Sequence, residues 1–182
     1  MEKELYPDEE IINGCIKNNR HTQEMLYRKY ARKMYGICMG YAGRNRAMAQ
    51  DMLQEAFIKV FRNIKQYGGK GSLEGWIRRI VTNTAIDQLR SQSGHKNLIQ
   101  EEVHETPIVS SNEIMSSLTS KEILTHVARL PEGARIIFNL YALEGYTHKE
   151  IAEQLDISTG TSKSQFSRAR QLLQGWLQAS ER

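Results

Sequence analysis

Apolar residues recur every three or four positions through most of this chain, the period of a helix with one buried face. Leu26, Tyr30, Met34, Ile37 and Tyr41 predict a first long helix, and Leu53, Ala56, Phe57, Val60, Phe61 and Ile64 a second. The second leaves Asp51, Gln54, Glu55, Lys59 and Arg62 off its apolar face. It stops at Tyr67-Gly68-Gly69-Lys70-Gly71-Ser72, where three glycines in four residues make continued helix costly. A third helix is expected from about 73 to 90, followed by a polar, acidic stretch to about Ser117 that reads as a flexible linker. The alternation expected of strands is nearly absent. The fold class is therefore all-α, with two small helical domains joined by that linker.

The C-terminal half carries explicit helix punctuation. Thr119 with Glu122 makes a capping-box pattern, and the helix it opens carries Ile123, Val127 and Leu130 before Pro131 ends it. Ile136, Ile137, Leu140 and Tyr141 predict the next helix, stopped by Gly145. Thr147 with Glu150 repeats the capping box ahead of Ile151, Ala152 and Leu155. Asp156-Ile157-Ser158 then reads as a tight turn, with Ser158 the N-cap of a last helix that buries Phe166, Ala169, Leu173 and Trp176. A short helix, a tight turn and a longer helix make the helix-turn-helix plan.

Charge sharpens this division. The net charge of +4 over 182 residues is unremarkable, but residues 22–94 hold thirteen Lys or Arg against five Asp or Glu, and residues 95–116 hold one against four. A locally basic block suits a polyanion better than a chain average does. Cys15 and Cys38 lie far apart, and the five histidines show no ligand spacing, so neither a disulfide framework nor a metal site is expected. No cofactor is expected either. The Gly68 to Ser72 stretch lacks the GxxxxGK[ST] order that cradles phosphates, and no HExxH or GxSxG occurs, so nothing in the chain supports an enzyme. The acidic N-terminus is unlike a signal peptide, and the most apolar stretch, 136–143, is too short to span a bilayer. A cytoplasmic protein is the expectation.

Three constellations could carry function. On the last helix, 100° per residue turns Thr161, Ser164, Arg168 and Gln171 away from Phe166, with Lys163, Ser167 and Arg170 on a flank. That face suits the major groove, and it equally suits plain solvent. Asp51, Gln54 and Glu55 form an i, i+3, i+4 patch inside the basic block. They either invite a basic partner or simply favour the helix N-terminus through its dipole, and taken alone the second account is preferred. Tyr67, Lys70, Trp76, Arg78, Arg79, Asn83, Asp87 and Arg90 surround the glycine loop, an aromatic and basic set able to stack and clamp single-stranded bases. The competing account puts Trp76 in the core with Ile77 and Ile80, and pairs Asp87 with Arg90 on the surface.

Four stretches together resemble the extracytoplasmic-function sigma factors of bacterial RNA polymerase. They are Asp51-Met52-Leu53-Gln54-Glu55-Ala56-Phe57, the series from Leu73-Glu74-Gly75-Trp76-Ile77 through Asn83, Asp87 and Arg90, Glu144 to Ala152, and Gly160 to Arg170. The likeness spans both domains in order, leaving only the N-terminal segment and the linker unmatched. It implies a segment 1–21, a region 2 domain over 22–94, a linker over 95–116 and a region 4 helix-turn-helix over 117–182. It assigns Asp51, Gln54 and Glu55 to core polymerase, reversing the preference above. It implies that Gln66, Tyr67, Lys70, Trp76, Arg78, Arg79, Asn83 and Arg90 engage the minus-ten element, with the loop from Gln66 to Ser72 pocketing a flipped base. Thr161, Lys163, Ser164, Ser167 and Arg168 fall to the minus-thirty-five element. The implied partners are core RNA polymerase, promoter DNA and an anti-sigma factor, membrane-anchored in many such systems, with no small-molecule substrate. The chain departs from the family at Gln165, where many members carry Arg or Lys, and at Phe166, where a branched aliphatic is usual. A stand-alone helix-turn-helix regulator would explain the C-terminal half but not the series from Asp51 to Arg90. A scaffold or anti-regulator that binds only proteins would need no basic excess over 22–94.

Overall fold

The computed structural model describes residues 8–93 and 125–180, and among them every regular element is helical. They gather into two compact units, one holding residues up to Met39 with Asn45–Gln88, the other Gly40–Arg44 with the chain from Leu89 onward. The expected linker over 95–116 and the capping box of Thr119 and Glu122 lie outside the described residues.

The first unit is built from α1 (Asp8–Ile16), all but the last three residues of α2 (Arg20–Ala42), α3 (Arg46–Asn63), a single 3-10 turn (Ile64–Gln66) and all but the last five residues of α4 (Leu73–Ser93). Its core follows the predicted spacing: Leu26, Tyr30, Met34 and Cys38 from α2, Met52, Leu53, Ala56, Phe57 and Val60 from α3, and Leu73, Ile77, Val81 and Ala85 from α4 are all buried. Burying a side chain of that size contributes about 1.5 to 3 kcal/mol, so these three stripes dominate the unit's stability. Asn45 caps α3 by accepting the Met48 N–H at 3.0 Å. Ser72 caps α4, its hydroxyl accepting the Gly75 N–H at 3.1 Å. Helix α1 was not expected. Its signal is present all the same, in Asp8, Glu9 and Glu10 at the electropositive helix start and in Ile11 and Cys15 one turn apart, both buried. Asp8 ties it to α2, taking Lys29 Nζ at 2.6 Å and the Tyr30 hydroxyl at 3.3 Å. Burial first, and then the Asp8 carboxylate, push the Tyr30 phenol up to about 12.

In the second unit, a helical turn at 125–127 leads through Pro131 into α5 (Glu132–Phe138), which continues as one π-helical stretch (Asn139–Leu143). Gly145, at φ +78°, ends it as expected. Helices α6 (His148–Leu155) and α7 (Thr159–Ser180) complete the helix-turn-helix. Val127, Leu130, Ala134, Phe138, Ala169 and Leu173 form one buried cluster, with Phe166, Leu172 and Trp176 packed on it half-buried. The Arg129 guanidinium lies 4.9 Å over the Trp176 ring.

Both cysteines are buried free thiols, and burial holds each above its ordinary value, Cys38 at about 12. At neutral pH they are protonated packing groups. Among the described residues no group of His, Cys, Asp or Glu is placed to hold a metal ion. No described helix is long and apolar enough to cross a membrane.

Candidate nucleic-acid and partner-binding surfaces

On α3, helical spacing places Asp51 and Gln54 in solvent and leaves Glu55 half-buried, opposite the buried Met52, Leu53, Ala56 and Phe57. Neither carboxylate ion-pairs with another described residue, so neither is spent on holding the fold. Lys59, on the same helix, reaches Asp87 of α4 at 3.4 Å. That contact takes the place of the Asp87–Arg90 pair of the competing account: the partner lies 28 positions away in sequence rather than three.

The 3-10 turn delivers the chain into a closed loop. Gln66 is exposed and donates to Asn63 Oδ1 at 3.2 Å. The Tyr67 hydroxyl donates to the Gly71 carbonyl at 2.7 Å, tying the two ends of the glycine stretch together. Gly69 and Gly71 sit at φ +72° and +80°, a conformation only glycine adopts without strain. Lys70 stands exposed at the rim. The Tyr67 ring lies 5.7 Å from Trp76, centroid to centroid, and both rings are half-buried. Trp76 is therefore neither a core residue nor a free one; it is the wall of the loop. Along α4, Arg79 and Asn83 are exposed, while Arg78 and Arg90 are half-buried. Lys33 of α2 holds Glu74 in the first turn of α4 at 2.6 Å.

The capping box on α6 is complete. The Thr147 hydroxyl oxygen accepts the Glu150 N–H at 3.2 Å, and Glu150 Oε2 accepts the Thr147 N–H at 2.8 Å. Asp156, at φ +55°, makes the left-handed turn, and Ser158 caps α7 by accepting the Thr161 N–H at 2.9 Å. Lys163, Ser164, Arg168 and Gln171 are exposed, and Ser167 and Arg170 half-exposed. Thr161 corrects the expected orientation. It is only 8% exposed, its hydroxyl 2.8 Å from that of Ser158. The buried stripe runs through Thr161, Ser162, Gln165, Ala169 and Leu173, so Phe166 marks the edge of the core-facing side rather than its centre.

The pivot of that rotation went unforeseen. His148, the first residue of α6, shares a 2.8 Å hydrogen bond between its Nδ1 and the hydroxyl of Ser162, which is wholly buried. Its ring stacks on Tyr141 at 4.3 Å and meets Phe166 edge-on. Burial, then the Lys163 ammonium, hold the imidazole below its ordinary value of 6.5. A positive charge at a helix N-terminus is disfavoured in the same sense. The folded state thus binds this proton more weakly than the unfolded chain. The stability involved is present above the ordinary titration near pH 6.5 and is lost as pH falls through and below it. In a Trp76→Phe background, where Trp176 fluorescence reports this unit, melting temperature is expected to fall between pH 7.5 and 5.5. His148→Gln should flatten that fall. Parallel slopes for the two proteins would refute it.

Sequence comparisons meet this geometry directly. The family profile for Sigma-70 region 2 matches residues 26–95, and that for Sigma-70 region 4 matches residues 120–173. The chain belongs to the extracytoplasmic-function RNA polymerase sigma factors. It is 26% identical to the ECF RNA polymerase sigma-E factor of Haemophilus influenzae over 96% of this chain and 97% of that one. It is 27% identical to the sigma-E factor of Escherichia coli, with 96% of each chain covered. Among solved structures, a sigma factor RpoE in complex with the anti-sigma factor NepR from Bartonella quintana shares the fold. There the TM-score is 0.51 and the identity 19%, over 87% of this chain and 98% of that one. In this sigma factor, α3 and α4 lie within the region 2 match and α2 crosses its start, while α5 and α6 lie within the region 4 match and α7 crosses its end.

Proposed function

We propose that this sigma factor divides promoter recognition among three surfaces, with α3 docking on core RNA polymerase, the Gln66 to Ser72 loop with α4 holding the opened minus-ten strand, and α7 reading the minus-thirty-five element. The observation that carries the reading is the closed loop. A glycine stretch tied end to end by Tyr67, walled by Trp76 and rimmed by Lys70 and Arg79, offers a flat aromatic face beside positive charge. That combination suits an unstacked base and its phosphate, and a reader of duplex operators alone has no use for it. Asp51, Gln54 and Glu55 supply the polymerase contact. Gln66, Tyr67, Lys70, Trp76, Arg78, Arg79, Asn83 and Arg90 supply the minus-ten surface, and Lys163, Ser164, Ser167 and Arg168 the minus-thirty-five surface. Thr161 contributes there by shaping the first turn of α7. The working division is the segment 1–21, region 2 over 22–94, a linker over 95–116 and region 4 over 117–182. The protein acts by binding rather than catalysis, in the cytoplasm, and an anti-sigma factor restrains it. The relative captured with the anti-sigma factor NepR supports that last partner.

Co-purification with core polymerase followed by promoter-dependent initiation in vitro tests the whole reading. Within it, Arg78→Ala with Arg79→Ala is expected to reduce permanganate reactivity of minus-ten thymines on duplex promoters, while a premelted template partly restores initiation. Equal loss on both templates would remove the melting role.

A further inference from the structure

Among the described residues of the first unit, two large apolar side chains are exposed, Ile58 on α3 at 45% and Tyr27 on α2 at 39%. Their placement is not random. Ile58 follows Asp51, Gln54 and Glu55 at i+7, i+4 and i+3, on the same stripe of α3. Tyr27 lies on the neighbouring helix, its ring packed edge-on against the buried Phe57 at 4.7 Å. Phe57, itself buried, leans in turn on the half-buried Phe61 at 6.0 Å, and Phe61 follows Ile58 by one helical step of three, so ring contacts join α2 to the Ile58 side of α3 beneath the surface. A strip bordered on one side by carboxylates and an amide has the make-up of a protein interface, an apolar centre within a polar rim.

We infer that Ile58 and Tyr27 form the apolar half of the polymerase-docking face, and that the polymerase surface seated there presents aliphatic or aromatic side chains beside its basic ones. The inference rests on the assignment of Asp51, Gln54 and Glu55 to that contact and extends it. Continuity along one helix stripe argues for a single occupant, and the carboxylates specify a basic one. The two halves do different work. Charge steers the encounter and responds to salt, whereas apolar burial holds the complex and hardly responds.

That difference is measurable on the full chain with intact core polymerase. In equilibrium titrations at several salt concentrations, Ile58→Ser is expected to weaken docking about ten-fold at every salt, with the wild-type salt slope. Asp51→Lys should flatten the slope. Ile58→Val should restore most of the affinity, and thermal melting should match wild type because the side chain is solvent-facing before docking. Wild-type affinity for Ile58→Ser alongside a defect in Asp51→Lys would overturn the inference and leave the docking reading standing. Wild-type affinity for both would take the docking reading down with it. Sedimentation of the free protein closes the remaining route: concentration-dependent self-association that Ile58→Ser abolishes would make a second copy the occupant and overturn the inference.

Discussion

Replacing Asp51 and Glu55 together with lysine is expected to abolish holoenzyme assembly while the fold survives. Both side chains lie on the polar stripe of α3, and neither carries an ion pair among the described residues. Lysine is a good helix former, and both positions lie past the first turn of Arg46–Asn63, where the helix dipole acts at most weakly. The fold therefore loses little. The interface loses two attractive contacts and gains two repulsive ones. At about 2 kcal/mol or more for each disrupted contact, affinity falls by roughly a thousand-fold. Helicity and melting temperature should match wild type, and titration with core polymerase should show no saturable binding at concentrations that saturate the wild type. Unchanged affinity would rule out α3 as the docking helix.

Arg168→Ala is expected to cost about 1 to 3 kcal/mol at the cognate minus-thirty-five element and to flatten preference at one base position. The structure strengthens the case for this residue while removing Thr161 from its side. Ser164, Arg168 and Gln171 are exposed, and the opposite face is sealed by Ala169 and Leu173. The caps at Thr147 and Ser158 and the bond from His148 to Ser162 determine the rotation of α7. A guanidinium so presented can pair with guanine O6 and N7. A phosphate contact would instead weaken all sequences alike and lower the salt slope by about one. Site selection with wild type and variant at several salt concentrations separates these results. If neither preference nor slope moves, α7 does not present this face to DNA.

What the chain determined by itself is local. The caps at Thr147, Glu150 and Ser158 involve residues no more than three apart, so their geometry follows once a helix begins. The stripes of α2 and α3 are periodic and bury largely as written, with Ile37 and Phe61 left half-buried, and the exposed positions of Asp51 and Gln54 come with them. Helix α1 is equally local, its signal being the acidic first turn and Ile11 and Cys15 four positions apart. The tertiary structure decided what depends on residues distant in sequence or on the balance between nearby alternatives. Asp87 meets Lys59 of α3, while the Arg90 guanidinium three positions on donates to the Gln154 carbonyl at 3.1 Å instead. Tyr67 bonds Gly71 because two glycines at positive φ fold the loop back on itself, which composition permits but does not specify. The core-facing side of α7 is the clearest case. Periodicity centred it on Phe166, whereas burial runs through Ser162 and Gln165. A small polar residue can be buried when a partner satisfies it, and Ser162 has His148, fourteen positions earlier on another helix. No pattern within one helix encodes that partner, because the hydrogen bond exists only once α6 and α7 have met.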